Sequence, residues 1–109
     1  AAGKRGFYVE SGANKPKVLS NTWFFDRCLG WAGLCVEPNP MYHAALRKER
    51  TCTVVPECIS ARPARLGMRF SGVITSVKES SGHKVDCNPL DVMLQRVGQT
   101  RVDFWSMDL

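Results

Sequence analysis

The segment WAGLCVEPNPMYHAAL, residues 31–46, passes through three residue patterns without a break. Leu34-Cys35-Val36 is a continuous apolar run bounded by Gly33 and by a single acid, Glu37. Apolar residues in succession, rather than in alternation, fit a strand covered on both faces, as in parallel sheets. Pro38-Asn39-Pro40 comes next. Asn39 can cap a helix whose first position is Pro40, since the N–H that proline lacks would have no partner there. Tyr42, Ala45 and Leu46 then recur at helical spacing, and Arg47, Lys48 and Arg50 gather at the negative end of the helix dipole. The segment therefore reads as a buried strand that carries one carboxylate to the rim of a sheet, with a helix leaving at once.

The flanking sequence follows the same grammar. Gly6-Phe7-Tyr8-Val9-Glu10 is a first strand ending in an acid, and Ser11-Gly12-Ala13-Asn14 is its loop. Leu19-Ser20-Asn21-Thr22 is rich in N-cap residues, Phe25, Cys28 and Leu29 fall at i, i+3 and i+4, and Gly30 ends that helix. Thr51 to Val55 reads as a third strand. Residues 61–84 read as an irregular insert, in which Arg65 to Val77 alternates loosely enough for one or two short strands. Asn88-Pro89 repeats the cap, Leu90, Met93, Leu94 and Val97 form a helical face, and Gly98 ends it. Arg101 to Met107 is a last strand that reaches Asp108. Strands alternating with helices predict one α/β domain built on an open, mostly parallel sheet.

Composition narrows the function classes. With 109 residues, the chain holds one small domain and not two. No apolar run approaches the roughly 20 residues of a membrane helix. The chain lacks an initiator Met and stops at a strand end, so it is expected to be a segment of a longer protein. Its net charge is +5, but the basic residues are scattered as on solvated faces and helix ends, without the interleaved aromatics of a stacking surface. Nucleic acid is not the expected partner. The five cysteines, at 28, 35, 52, 58 and 87, form no CxxC and no zinc spacing. Cys28 and Cys35 fall at core positions, so the cysteines are read as mainly reduced and structural, in a soluble protein of a reducing compartment or organelle interior. His43 and His83 are isolated.

In open parallel sheets, ligands sit outside the carboxyl ends of the strands. Three features gather there: the loop Glu10-Ser11-Gly12-Ala13-Asn14, the acid Glu37 and the acid Asp108. Gly12 lets the backbone approach a ligand closely. A carboxylate at the end of the second strand is placed to accept both hydroxyls of a ribose. The absence of GxGxxG disfavours a dinucleotide and favours a nucleoside ligand without a pyrophosphate.

Taken together, Phe7-Tyr8-Val9-Glu10-Ser11-Gly12-Ala13-Asn14, Leu19-Ser20-Asn21-Thr22, Leu29 to Pro40 and Val102-Asp103-Phe104-Trp105-Ser106-Met107-Asp108 closely resemble the FkbM-type methyltransferases, a branch of the S-adenosylmethionine-dependent Rossmann-like enzymes. The resemblance implies a Rossmann-like methyltransferase sheet, here cut off after the fourth core strand. It implies a cofactor site built from Glu10, Gly12 and Asn14, with Glu37 on the ribose hydroxyls and Cys58, Ile59 and Ser60 near the adenine. It puts Asp108 near the methionine part of S-adenosylmethionine or the acceptor oxygen, where its position makes it the candidate catalytic base. The reaction it implies is O-methylation of a small-molecule or glycan hydroxyl. Lys15-Pro16 stands where the family continues with Asp-Gly, and proline fixes φ near −65° in a loop that needs positive φ. That departure, the truncation and the basic surface support an alternative, a catalytically degenerate methyltransferase-like subunit with protein partners in a larger assembly.

Overall fold

The computed structural model describes residues 5–12, 21–71, 74–77 and 83–107. Its elements run β1 (Phe7–Ser11), α1 (Asn21–Arg27), β2 (Ala32–Val36), a 3-10 turn (Pro40–Tyr42), α2 (His43–Glu49), β3 (Thr53–Val55), β4 (Cys58–Ile59), β5 (Ala64–Ser71), β6 (Ile74–Val77), β7 (His83–Asn88), α3 (Leu90–Arg96) and β8 (Phe104–Met107). Four of the strands form a wholly parallel sheet in the order β3-β2-β1-β8. The other four form a mixed sheet in the order β4-β7-β5-β6, in which β5 runs antiparallel to both β6 and β7. The chain is α/β with a mostly parallel main sheet.

The continuous apolar run explains why the main sheet is covered on both faces. Along β1, Phe7 and Val9 point to one face and Tyr8 to the other, and along β2 Leu34 and Val36 oppose Cys35. The first face packs with Val55 of β3 and Met93 of α3, joined by Leu90, Leu94 and Val97. The second packs with Tyr42 and Leu46 at the start and middle of the second helical segment and with Phe25 of α1. Burying one side chain such as Leu34 is worth about 1.5–3 kcal/mol, so the two layers supply most of what holds the strands together.

Two glycines let β1 and β2 approach each other as they do. Gly33 lies directly opposite Tyr8 in register, and a Cβ there would meet the tyrosine ring at 2.6 Å. Gly6 is in the same relation to the Trp31 ring, also at 2.6 Å. A ring on β1 thus covers a glycine of β2, and the ring just before β2 covers the glycine just before β1.

Cap chemistry holds where it was expected at the second helix. Asn39 has an extended backbone and its Oδ1 accepts the Met41 N–H at 3.0 Å, with Pro40 at the first position. The expected second cap is different. Asn88 is the last residue of β7, where it pairs with Ile59, and its side chain donates to Glu57 Oε1 at 2.7 Å. The cap position of α3 falls on Pro89, which has no side-chain hydrogen bond.

Three other expectations are corrected. The described part of 61–84 is more regular than an irregular insert: β5 and β6 pair antiparallel where one or two short strands were expected, and His83-Lys84 begin β7, a strand the pattern hid because only Val85 and Cys87 of its six residues are buried and apolar. Cys28 and Leu29 are exposed, because α1 ends at Arg27 and both fall in the turn that Gly30 completes at φ +68°. The cysteines are not mainly reduced. Cys35 is bonded to Cys52 and Cys58 to Cys87, with Cα atoms 5.9 and 4.4 Å apart, inside the range a disulfide requires. Sequence spacing gives no sign of this, since the partners lie 17 and 29 residues apart; the register of β4 and β7 places Cys58 opposite Cys87. Among the described residues no helix is long and apolar enough to cross a membrane.

Candidate functional site

The strand order defines where a crevice can form. The chain moves from β1 outward to β2 and β3, then returns across the sheet through α3 to place β8 on the other side of β1. Connections leaving in opposite directions from neighbouring strands separate at their carboxyl ends, and this switch point lies between β1 and β8.

The residues at that rim are tied together by the backbone. Ser11 pairs with Val36 and with Met107 on its two sides. Gly12 extends the ladder one step, its N–H donating to the Val36 carbonyl at 2.9 Å, and does so at φ +71°, a left-handed conformation that favours glycine. The Glu37 N–H donates to the Val55 carbonyl at 3.0 Å. Gly12 and Glu37 are therefore neighbours across the ends of two strands. On the β8 side, the Trp105 indole N–H donates to Ser11 Oγ at 3.1 Å.

Glu37 is buried, and its Oε2 accepts the Asn39 N–H at 2.8 Å. The next link is Asn39 Oδ1 to Met41, and the His43 Nε2 meets the Glu37 carbonyl at 2.5 Å. The acid is thus held by the turn that follows it. His43, isolated in the sequence, closes that turn from the far side.

Glu10 points to the face carrying α1. Its Oε1 accepts the Thr22 hydroxyl and lies 3.8 Å from the Arg50 guanidinium. Arg50 NH1 also donates to Thr22 Oγ1 at 2.9 Å. Arg50 is therefore not a solvated helix-end residue like Arg47 and Lys48: its side chain is wholly buried. The helix ends at Glu49, and Arg50 takes an extended backbone that turns it beneath the sheet. Beside it, Asp26 accepts from the Tyr8 hydroxyl, from the Thr51 N–H at 3.1 Å and from the Thr51 hydroxyl at 3.1 Å. Burial, and then the hydrogen bond to Asp26, raise the Tyr8 phenol well above its ordinary range. No pattern in the sequence singled out Thr22, Asp26 or Arg50 as members of one buried network.

Cys58, Ile59 and Ser60 stand on or just after β4, in the second sheet. The Cys58 sulfur is taken by Cys87, Ile59 packs against the α3-side core, and Ser60 bonds through its N–H to the Asn88 carbonyl at 3.0 Å. Asn14, Lys15, Pro16 and Asp108 lie outside the described residues.

A concavity of about 550 Å³ lies at the opposite end of the main sheet, lined by residues that include Arg5, Phe7, Trp31, Gln99, Arg101 and Asp103. Arg101 pairs there with Asp103 at 2.7 Å, whose other oxygen accepts the Phe7 N–H. It is at the amino ends of β1 and β2, away from the switch point.

No family model, curated protein or solved structure matches this chain.

Proposed function

We propose that this chain is the cofactor-binding portion of an S-adenosylmethionine-dependent O-methyltransferase of the FkbM type. The observation that carries the reading is the parallel order β3-β2-β1-β8, with its switch point beside Gly12 at the end of β1 and Glu37 at the end of the neighbouring β2. The residue types there suit a nucleoside. A carboxylate can accept hydroxyl hydrogen bonds, and the Asn39 N–H, donating to Glu37 Oε2 at 2.8 Å, fixes the orientation of the group. In this reading Glu37 receives the ribose hydroxyls, Gly12 gives the ligand close access to backbone, and Glu10 and Asn14 complete the first loop. Ile59 and Ser60 face the adenine, and Cys58 serves through its backbone because its sulfur is bonded.

Bound S-adenosylmethionine supplies an electrophilic methyl group. The chain's share of the chemistry is to hold that group in line with an acceptor hydroxyl, of a small molecule or a glycan, so that positioning supplies most of the rate. Asp108 is the residue assigned to take the acceptor's proton. The two disulfides fit an oxidising compartment.

A second reading, a degenerate methyltransferase-like subunit with an interaction role, is favoured by the burial of Glu37, only 2 % exposed. Calorimetry with S-adenosylmethionine separates the two. The enzyme reading expects binding that is lost in Glu37→Ala while the variant stays folded. An absence of binding in the wild-type chain sinks it and leaves the interaction reading.

A further inference from the structure

We propose that Arg50 is a positioning residue for this crevice: it sets the aim and the charge of Glu10 without itself touching a ligand. The ligand half of the proposal rests on the cofactor reading above; the hold on Glu10 stands independently.

Two routes lead from the guanidinium to the same carboxylate oxygen. One is the direct pair, Arg50 NH2 to Glu10 Oε1 at 3.8 Å. The other is a hydroxyl relay, in which Thr22 accepts from Arg50 NH1 and donates to Glu10 Oε1. Thr22 comes from α1, Glu10 from β1, and Arg50 from the link between α2 and β3, so three separate parts of the chain converge on that oxygen. Arginine suits this task better than lysine because its planar fork can serve two acceptors at fixed angles.

The charge of Glu10 depends on this partner. A buried carboxylate without a cation is pushed towards its neutral form, and a guanidinium within a few ångströms favours the ionised one. Among the described residues, Asp26 on α1 and Tyr8 on β1 also face the network; the Arg50 Cζ lies 5.9 Å from the Tyr8 ring centroid, and Asp26 holds the Tyr8 hydroxyl. The Cys35–Cys52 disulfide closes the group, with Cys35 Sγ 3.9 Å from Arg50 NH1. Glu10 is two residues before Gly12, level in register with Ser106 of β8. In the cofactor reading, an ionised Glu10 at that level favours the cationic S-adenosylmethionine over its neutral-sulfur product, S-adenosylhomocysteine.

The test compares the wild-type chain, Arg50→Lys, Arg50→Gln and the double variant Arg50→Gln/Glu10→Gln. The Glu10 carboxyl carbon is followed by NMR against pH, assigned with Glu10→Gln. In Arg50→Gln the carboxyl is expected to hold its proton about tenfold more tightly than in the wild type, one pKa unit; Arg50→Lys restores most of the difference. Calorimetry then measures both ligands across the same pH range. Arg50→Gln should lose the preference for the sulfonium ligand as pH falls, and the double variant should lose that pH dependence altogether. A Glu10 titration unchanged between the wild type and Arg50→Gln overturns the proposal. Should Arg50→Gln not fold, the double variant, which carries no buried charge at either position, decides it: a ligand preference that keeps the wild-type pH dependence without Glu10 overturns the proposal. Failure of the wild type to bind S-adenosylmethionine removes the cofactor reading, and the titration still decides what Arg50 does to Glu10.

Discussion

The Tyr8 ring sits against Gly33 on the neighbouring strand, so close that a Cβ at position 33 would meet it at 2.6 Å. A methyl group at position 33 would have to displace a ring that is itself fully buried and hydrogen-bonded to Asp26. Overpacking of this kind costs roughly 1–3 kcal/mol. Gly33→Ala should therefore lower the melting temperature by several degrees, on the order of 4–8 °C per kcal/mol for a domain of this size. Thermal unfolding followed by circular dichroism checks it; an unchanged melting temperature means the ring is free to move aside.

Gly12 and Gly98 both sit at positive φ, +71° and +69°. An L-residue in that conformation costs about 1–2 kcal/mol. Alanine at either position should reduce stability by that order. Only Gly12→Ala, at the crevice, should also weaken S-adenosylmethionine binding. Equal binding by the two variants would separate the first loop from the ligand.

The raised Tyr8 phenol makes stability depend on alkaline pH. Above the ordinary phenol value of about 10, the unfolded chain gives up the Tyr8 proton while the folded chain keeps it. The folded state then binds more protons, and stability falls as pH rises. Below about pH 10 the contribution is fully present. Urea unfolding from neutral to alkaline pH should show this decline, and Tyr8→Phe should flatten it. At neutral pH that variant loses one buried hydrogen bond, about 1 kcal/mol, because Thr51 still satisfies Asp26.

Of the five cysteines, four are paired and Cys28 is exposed and free. Alkylation of the folded, unreduced chain should add one group, at Cys28, and alkylation after reduction and unfolding should add five. Opening the Cys58–Cys87 bridge, which closes a 29-residue separation, should cost roughly 3–4 kcal/mol in the chain-entropy account. Unfolding of Cys58→Ala/Cys87→Ala measures it, and intact-mass analysis counts the thiols.

The main sheet was legible in the sequence because its signals are local. Leu34 to Val36, the Asn39-Pro40 cap and the Leu90-Met93-Leu94 face each declare an element within a few residues, and the order of elements follows. The second sheet was hidden because β7 alternates two buried residues with charged and polar ones, and β4 is two residues long. Neither presents a run. The rim acids were legible for the same reason as the strands they end. The network behind Glu10 was not, since Thr22, Asp26 and Arg50 look like an N-cap residue, a surface acid and a helix-end cation until the fold brings them under one sheet. Disulfide pairing is hidden in the same way, because it is set by register between strands far apart in the chain.

Arg50, Thr51 and Cys52 are consecutive, yet each fastens to a different place: Glu10 and Thr22, Asp26, and Cys35. An added or deleted residue within this triplet would put all three attachments out of phase at once, whereas the neighbouring Arg47 and Lys48 are exposed. Length, more than identity, is thus what this short connection has to preserve, and related chains should vary in loop size almost anywhere before they vary here.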